Sequence, residues 1–244
     1  RMCHDAPMSA SLPIVLVHGA WHGAWCWAGL QHALDDLGVP SYAIDLPGHG
    51  ASTAPLSDLY GDAEHVADVL RTLGTPVVLV GHSYGGAVIT EAAGRHPEVA
   101  HLVYLTAFAL EAGESVMSLL TSLPRADIAL GRAIVPRDDG TSVVDATKAA
   151  TAFYAECSPA AVSAALARLS PQPMITFADA VTGSPRDHIA STYVRCLRDQ
   201  AIHISHQDAM AQRCNTVHTL DTDHSPFVSR IAETAASLQG IAAS

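Results

Sequence analysis

The sequence predicts an α/β protein: a mostly parallel central sheet flanked by helices and interrupted by a helical cap insertion. Three observations predict it. Short apolar runs alternate with stretches of helical periodicity. Those runs lack strict in–out alternation, as expected of strands covered on both faces. The rhythm stops between residues 109 and 188 and then resumes. Strands alternating with helices in this way imply parallel pairing through helical crossovers.

The elements follow in order. The run IVLV at 14–17 is a strand ending in His-Gly. Trp27, Leu30, Leu34 and Leu37 recur at three and four, the spacing of one helix face, and Gly38 closes that helix. SYAID at 41–45 is a second strand, running into the turn LPGHGAS. Residues 58–73 carry Ala63, Val66, Leu70 and Leu73 on one helical face. PVVLVG at 76–81 is a third strand, YGGAVITEAAGRH a third helix, and HLVYLTAF at 101–108 a fourth strand. From 109 to 188, Ala, Ser, Pro and Leu dominate, which predicts several short helices without a clear strand. The alternation returns with a strand at 191–197, a short helix at 205–213, a strand at 216–220 and a final amphipathic helix at 226–240. The expected organisation is a tail at 1–11, a core at 12–108 and 189–244, and a cap at 109–188.

Composition narrows the function. The 244 residues are 49% hydrophobic and 15% charged, as in a globular protein. The formal charge is −11, Lys148 is the only lysine and the arginines are scattered. No basic stripe exists to neutralise phosphates, which argues against nucleic acid and anionic membranes. The longest apolar runs, such as residues 77–80, are far too short to span a bilayer. The opening RMCHDAPMSASLP has no apolar segment of the signal-peptide kind and reads as a loose tail. Five cysteines, an odd number without a C-x-x-C pair, read as free thiols in a reducing, cytoplasmic setting. A homodimer is left open.

The strongest chemical signal is VVLVGHSYGG, a G-x-S-x-G (Gly81, Ser83, Gly85) between a strand and a helix. A serine on that sharp turn projects its hydroxyl above the sheet edge, with the positive end of the following helix beneath it. This makes Ser83 the candidate nucleophile. A serine hydroxyl needs a base, and in this architecture the order is Ser, acid, His. His224, in LDTDHSPF, lies past the last strand and before the last helix. His203, His206 and His218 are worse placed. The acid belongs on the loop after the preceding strand, which points to Asp199; Asp221 and Asp223 read as turn residues beside His224. The oxyanion would be held by the backbone N–H of Tyr84 and by that of Ala20, on the loop after the first strand, where Gly19 permits an unusual turn. His18 and His22, four apart, have a metal-ligand spacing only if both lie on a helix, and no third ligand stands nearby at matching spacing. No metal and no cofactor is expected. DLPGHGAS lacks the G-K-[ST] of a phosphate loop and reads as a turn.

Together, VLVHGAWHGAWCW, DLPGHG, GHSYGG, RCLRD and DHSPF resemble the α/β-hydrolase superfamily, in particular the branch of plant methylesterases, hydroxynitrile lyases and related bacterial carboxylesterases. The resemblance covers roughly 12–108 and 189–240 and is weak across the insertion. It implies the fold, the triad Ser83, Asp199 and His224, oxyanion amides at Ala20 and Tyr84, and a small-molecule ester as substrate. The lyases of that branch have a lysine after the catalytic histidine and a threonine after the first-loop histidine. Here Ser225 and Gly19 occupy those places, which favours ester hydrolysis over cyanohydrin cleavage. Ser83 excludes the aspartate-nucleophile dehalogenases. A lyase on the same triad and a non-catalytic ligand-binding protein stay as alternatives. Gly19, Trp21, Met117, Leu120, Phe153, Phe177 and Ser225 are the expected substrate-binding residues; Leu119, Leu123, Tyr154 and Met174 are further wall candidates.

Overall fold

Residues 11–96 and 98–244 are described in a computed structural model of the chain. The tail expectation and Cys3 fall outside those residues.

In the sheet, two-residue periodicity serves two faces at once. The first part of the chain supplies strand β1 (Ile14–Val17), helix α1 (Ala28–Asp36), β2 (Ser41–Ile44), α2 (Leu59–Leu73), β3 (Val77–Ser83), α3 (Gly85–Ala93) and β4 (Val99–Ala107). In β1 and β3 every residue up to Val80 is apolar, because both faces are covered. Val15, Val17, Val77, Leu79 and Tyr104 face the side packed by α2 and α3. Ile14, Leu16, Val78, Val80 and Leu105 face the opposite core, shared with Leu30 and Leu34 of α1. Helix α2 begins where Asp58 Oδ1 accepts from the Gly61 N–H at 2.8 Å and ends at Gly74, whose φ of 59° suits a left-handed cap.

The stretch from 109 to 188 contains α4 (Val116–Ser122), α5 (Ala129–Ala133), β5 (Ile134–Pro136), β6 (Thr141–Val144), α6 (Ala146–Tyr154), α7 (Pro159–Leu166), β7 (Gln172–Pro173) and α8 (Ile175–Ala178). The expectation of helices without strands is therefore corrected: β5, β6 and β7 form a three-stranded antiparallel sheet. Strands of two to four residues are too short to show a period. The one legible signal is Asp139-Gly140, with Gly140 at φ 80°, a hairpin turn between two β-branched runs.

The chain returns through β8 (Ala190–Cys196), α9 (Ile204–Ala211), β9 (Thr216–Leu220), α10 (Pro226–Ser229) and α11 (Ile231–Ala242). The six long strands lie in the order β2-β1-β3-β4-β8-β9, every adjacent pair parallel. The single final helix expected at 226–240 is in fact two. Arg230, at φ −138° and ψ 54°, breaks it while the Ser229 hydroxyl bonds back to Asp223 at 2.8 Å. The break lets α11 pack along α1. No helix among the described residues is long and apolar enough to cross a membrane.

Candidate active site

Parallel strands put all their carboxyl ends on one edge, and the loops leaving β1, β3, β8 and β9 meet there. At the end of β3, Ser83 has φ 54°, a left-handed conformation that L-residues rarely adopt. The glycines around it are required by close approach. A Cβ on Gly81 would lie 2.4 Å from the Gly85 carbonyl oxygen, and one on Gly85 2.6 Å from that of Val17. Beside the turn, β4 carries a bulge: His82 pairs with Leu105 but Ser83 with Ala107, so Thr106 is skipped. Thr106 has φ 38°, a strained value for a β-branched residue.

That bulge re-aims a side chain. The Thr106 hydroxyl donates to Asp199 Oδ2, which also accepts from His224 Nδ1 at 2.6 Å and from Gln207 Nε2 at 3.4 Å. Asp199 Oδ1 accepts from the N–H groups of Ala201 and Ile202 at 2.6 and 2.8 Å. Five donors thus converge on one buried carboxylate and hold it against the imidazole. Thr106 is not foreseeable from sequence spacing, since a bulge on another strand brings it in; Gln207 lies on α9 of the same crossover as Asp199, and only the fold-back of that crossover turns it onto the carboxylate. His224 is held a second way: its carbonyl accepts from His82 Nε2 at 2.8 Å, and the two rings lie 4.5 Å apart between centroids. Burial, reinforced by His224 and His22, pushes the His82 imidazole well below its usual range, so it stays neutral. Within the described residues Ser83 Oγ and His224 Nε2 are not joined by a hydrogen bond; such bonds often tighten only with substrate.

The aspartates next to His224 are engaged elsewhere. Asp223 is buried and accepts from the Ser225 N–H at 3.1 Å and the Glu156 N–H at 2.8 Å, while Asp221 pairs with Arg198 at 3.0 Å. His203 and His218 bond to Ser205 and Ser237.

Ala20 and Tyr84 line the same cavity as Ser83, and neither backbone N–H has a hydrogen-bond partner among the described residues. The Gly19–Ala20 peptide is tightly framed. The Gly19 carbonyl accepts from His18 Nδ1 at 2.8 Å and from the His22 N–H at 3.3 Å. His18 Nε2 accepts from the Leu46 N–H at 3.1 Å, which leaves its proton on Nδ1. Burial, with His49 and His22 nearby, lowers the His18 pKa to about 3. Below the site the Tyr84 hydroxyl donates to Asp62 at 2.8 Å; burial raises that carboxyl to about 7 against the pull of this bond.

The cavity above Ser83 has a volume of about 260 Å³. Trp21, Met117, Leu120, Met174 and Phe177 line it, together with Phe108, Val116, Ile128, Leu130 and Ile134, and no charged residue does among the described residues. A wider outer depression shares Leu120, Ile128 and Gly131 with it and contains Leu123, Arg125 and His206. Three expected wall residues are corrected. Gly19 backs onto the elbow, where a Cβ would fall 2.9 Å from Ser83 Cβ. Phe153 is buried behind the wall, its ring 5.8 Å from that of His224. Ser225 is fully buried at the start of α10. Leu119 and Tyr154 are likewise buried in the core, off the cavity. For Phe153, Ser225, Leu119 and Tyr154, packing against neighbouring elements drew the side chain inward.

The model of the alpha/beta hydrolase family matches residues 14–237, and the chain belongs to that family. Over 115 residues, 43% of this chain and 46% of the other, it is 43% identical to a carbendazim hydrolyzing esterase of Nocardioides sp.. It is 31% identical to methylesterase 18 of Arabidopsis thaliana across 90% of this chain and 92% of that one. Among solved structures, a pyrethroid hydrolase from Sphingobium faniae superposes with a TM-score of 0.84 at 25% identity, covering 95% of this chain and 97% of that one. The chain spans about half the length, 53% and 46%, of two of the curated relatives it matches.

Proposed function

We propose that the protein is a serine hydrolase that cleaves small to medium apolar carboxylic esters through an acyl-enzyme on Ser83. The observation that carries this reading is a convergence at the mouth of one uncharged cavity. A serine at φ 54° shares the cavity wall with Ala20 and Tyr84, whose amides have no partner among the described residues, and its neighbour His82 bonds the carbonyl of His224, which lies 2.6 Å from the buried Asp199. His224 takes the Ser83 proton as Oγ attacks the ester carbonyl. The amides of Ala20 and Tyr84 receive the developing oxyanion, each such donor being worth about 3 kcal/mol. The alcohol leaves with the proton from His224, which then activates water to release the acid. Residues 109–188 serve as the cap that closes the site and selects the substrate. The relatives' names support this reading: two are named esterases and the third a pyrethroid hydrolase.

The cavity supports neutral substrates. At about 260 Å³ it falls just below the common range for ligand pockets, and it offers no counter-ion for a charged acyl group. The decisive experiment has two arms. A fluorophosphonate probe should label Ser83, and Ser83→Ala should lower kcat on the order of a million-fold, as loss of a triad nucleophile does elsewhere. Near-full ester hydrolysis by Ser83→Ala would overturn the mechanism. A panel of p-nitrophenyl, methyl, aryl and lactone esters ranked by kcat/KM would identify the substrate; aldehyde and cyanide from a cyanohydrin would reveal a lyase instead.

A further inference from the structure

The two histidines of HGAWHGAW belong to one hydrogen-bonded frame, and its outer end lies in the 109–188 segment. We propose that Tyr154 and His22 are positioning residues for the oxyanion amide of Ala20: the Tyr154 hydroxyl fixes which nitrogen of His22 carries the proton, and that proton holds the Ala20 carbonyl. The inference rests on the reading of Ala20 as an oxyanion donor.

The geometry is explicit. His22 Nδ1 lies 2.7 Å from the Ala20 carbonyl oxygen, an obligate acceptor, so Nδ1 must carry a proton. His22 Nε2 lies 2.6 Å from the Tyr154 hydroxyl. In a neutral ring Nε2 is then the acceptor and the phenol the donor. The ring's surroundings keep it neutral. It stacks on Trp25 with centroids 5.6 Å apart and meets the edge of Phe153 at 5.2 Å, and its side chain is buried. The other end of the Ala20–Trp21 peptide is also held, since the Trp21 N–H donates to Gln172 Oε1 at 3.3 Å. With the Gly19 carbonyl bonded to His18 and to the His22 N–H, both peptides flanking Ala20 are fixed in orientation. Only the Ala20 N–H is left to donate into the cavity. Preorganised donors stabilise an oxyanion because they need not reorient when charge develops. Chains of hydrogen bonds also polarise one another, and the carbonyl that shares a peptide with the Ala20 N–H is that of Gly19, which accepts from His18 and the His22 N–H; the His22 ring acts on the next peptide, by fixing its orientation.

A neutral histidine free in water favours the proton on Nε2; this frame demands the opposite tautomer, and the Tyr154 hydroxyl is the hydrogen-bond partner of Nε2 among the described residues. Tyr154→Phe keeps the ring and removes that donor. In the wild-type protein labelled with ¹⁵N-histidine, the His22 signals, assigned by their absence in His22→Asn, should show the Nδ1–H tautomer. In Tyr154→Phe they should move away from it. On a p-nitrophenyl ester, Tyr154→Phe should lower kcat about tenfold with KM changed less than twofold. His22→Leu should lose on the order of a hundredfold in kcat, and His22→Asn, whose amide nitrogen falls near Nδ1, should recover most of that loss. An Nε2–H signal in the wild type, an unchanged kcat in Tyr154→Phe, a loss carried wholly by KM, or a His22→Asn no better than His22→Leu each overturns the relay. If Ser83→Ala abolishes hydrolysis while Tyr154→Phe is silent, only the relay fails. If Ser83→Ala stays active, the reading of the site itself fails, and the tautomer measurement still reports whether Tyr154 governs His22.

Discussion

At the scale of single residues, the candidate site is held by side chains that have no part in the reaction. Thr106 is the clearest. It occupies a bulge at φ 38° and uses its hydroxyl to complete the shell around Asp199. A hydrogen bond to a charged group is worth about 1.5–3 kcal/mol. Thr106→Val keeps the branched shape and deletes that donor, so kcat should fall about tenfold while the far-ultraviolet spectrum is unchanged. Activity equal to wild type would show that the other four donors suffice. Asp199 was readable as the candidate acid because it lies on the loop after a late strand, and the structure brings it to His224. Thr106 was not, because a bulge is a property of strand pairing and leaves no mark in a run such as HLVYLTAF.

At the scale of elements, the turn between β3 and α3 is packed hard against neighbouring backbone. A Cβ on Gly85 would stand 2.6 Å from the Val17 carbonyl oxygen and 2.8 Å from that of His18. Both obstacles are backbone, one at the end of β1 and one in the residue just after it, so neither can yield cheaply. Gly85→Ala should cost about 2–3 kcal/mol or more, read as a lower urea midpoint, and should also displace Ser83. A wild-type midpoint would refute the packing argument. The small antiparallel sheet carries a second lesson. Trp21, at φ 63°, donates its indole N–H to Ser142 of β6 at 3.2 Å, while its carbonyl accepts from the Ser170 N–H at 2.9 Å. The insertion is thus fastened to the loop after β1 rather than merely laid over it. Its strands escaped the sequence reading because their pairing, not their composition, makes them strands.

At the scale of the whole molecule, burial of neutral imidazoles sets the response to acid. His22 is lowered from 6.5 to about 4 by burial and His18 to about 3, and His82 moves in the same direction. The unfolded chain takes up these protons as pH falls below about 6.5, while the native state resists until near 4, so stability is full above 6.5 and declines through that window. For His22 alone the difference corresponds to roughly 3 kcal/mol. Asp62 opposes it: raised to about 7, it holds a proton in the native state that the unfolded chain has released. His49 and His101 are lowered by burial as well, so the imidazoles outweigh the one raised carboxyl and the unfolded chain binds more protons than the native state between pH 4.5 and 6. Urea midpoints should therefore rise with pH across that range, and His22→Asn should flatten the slope. A midpoint that falls from pH 4.5 to 6 would contradict this balance.

The sequence by itself determined the parallel core and the four loops that hold Ser83, Asp199, His224 and Ala20. Apolar periodicity, glycine spacing and chain order are local or one-dimensional properties, and they survive reading without coordinates. Only the tertiary structure decided which groups press on those four. The bulge that aims Thr106, the cavity wall from which Phe153 and Ser225 withdraw, and the reach of Tyr154 to His22 across 132 residues all arise from packing between distant segments. The histidine pair shows the difference most plainly. Its spacing of four suggests shared ligation on a helix, yet the backbone runs through a left-handed turn at Trp21. Each ring nitrogen was then claimed by a different neighbour, since a buried polar atom must find a partner wherever the fold supplies one.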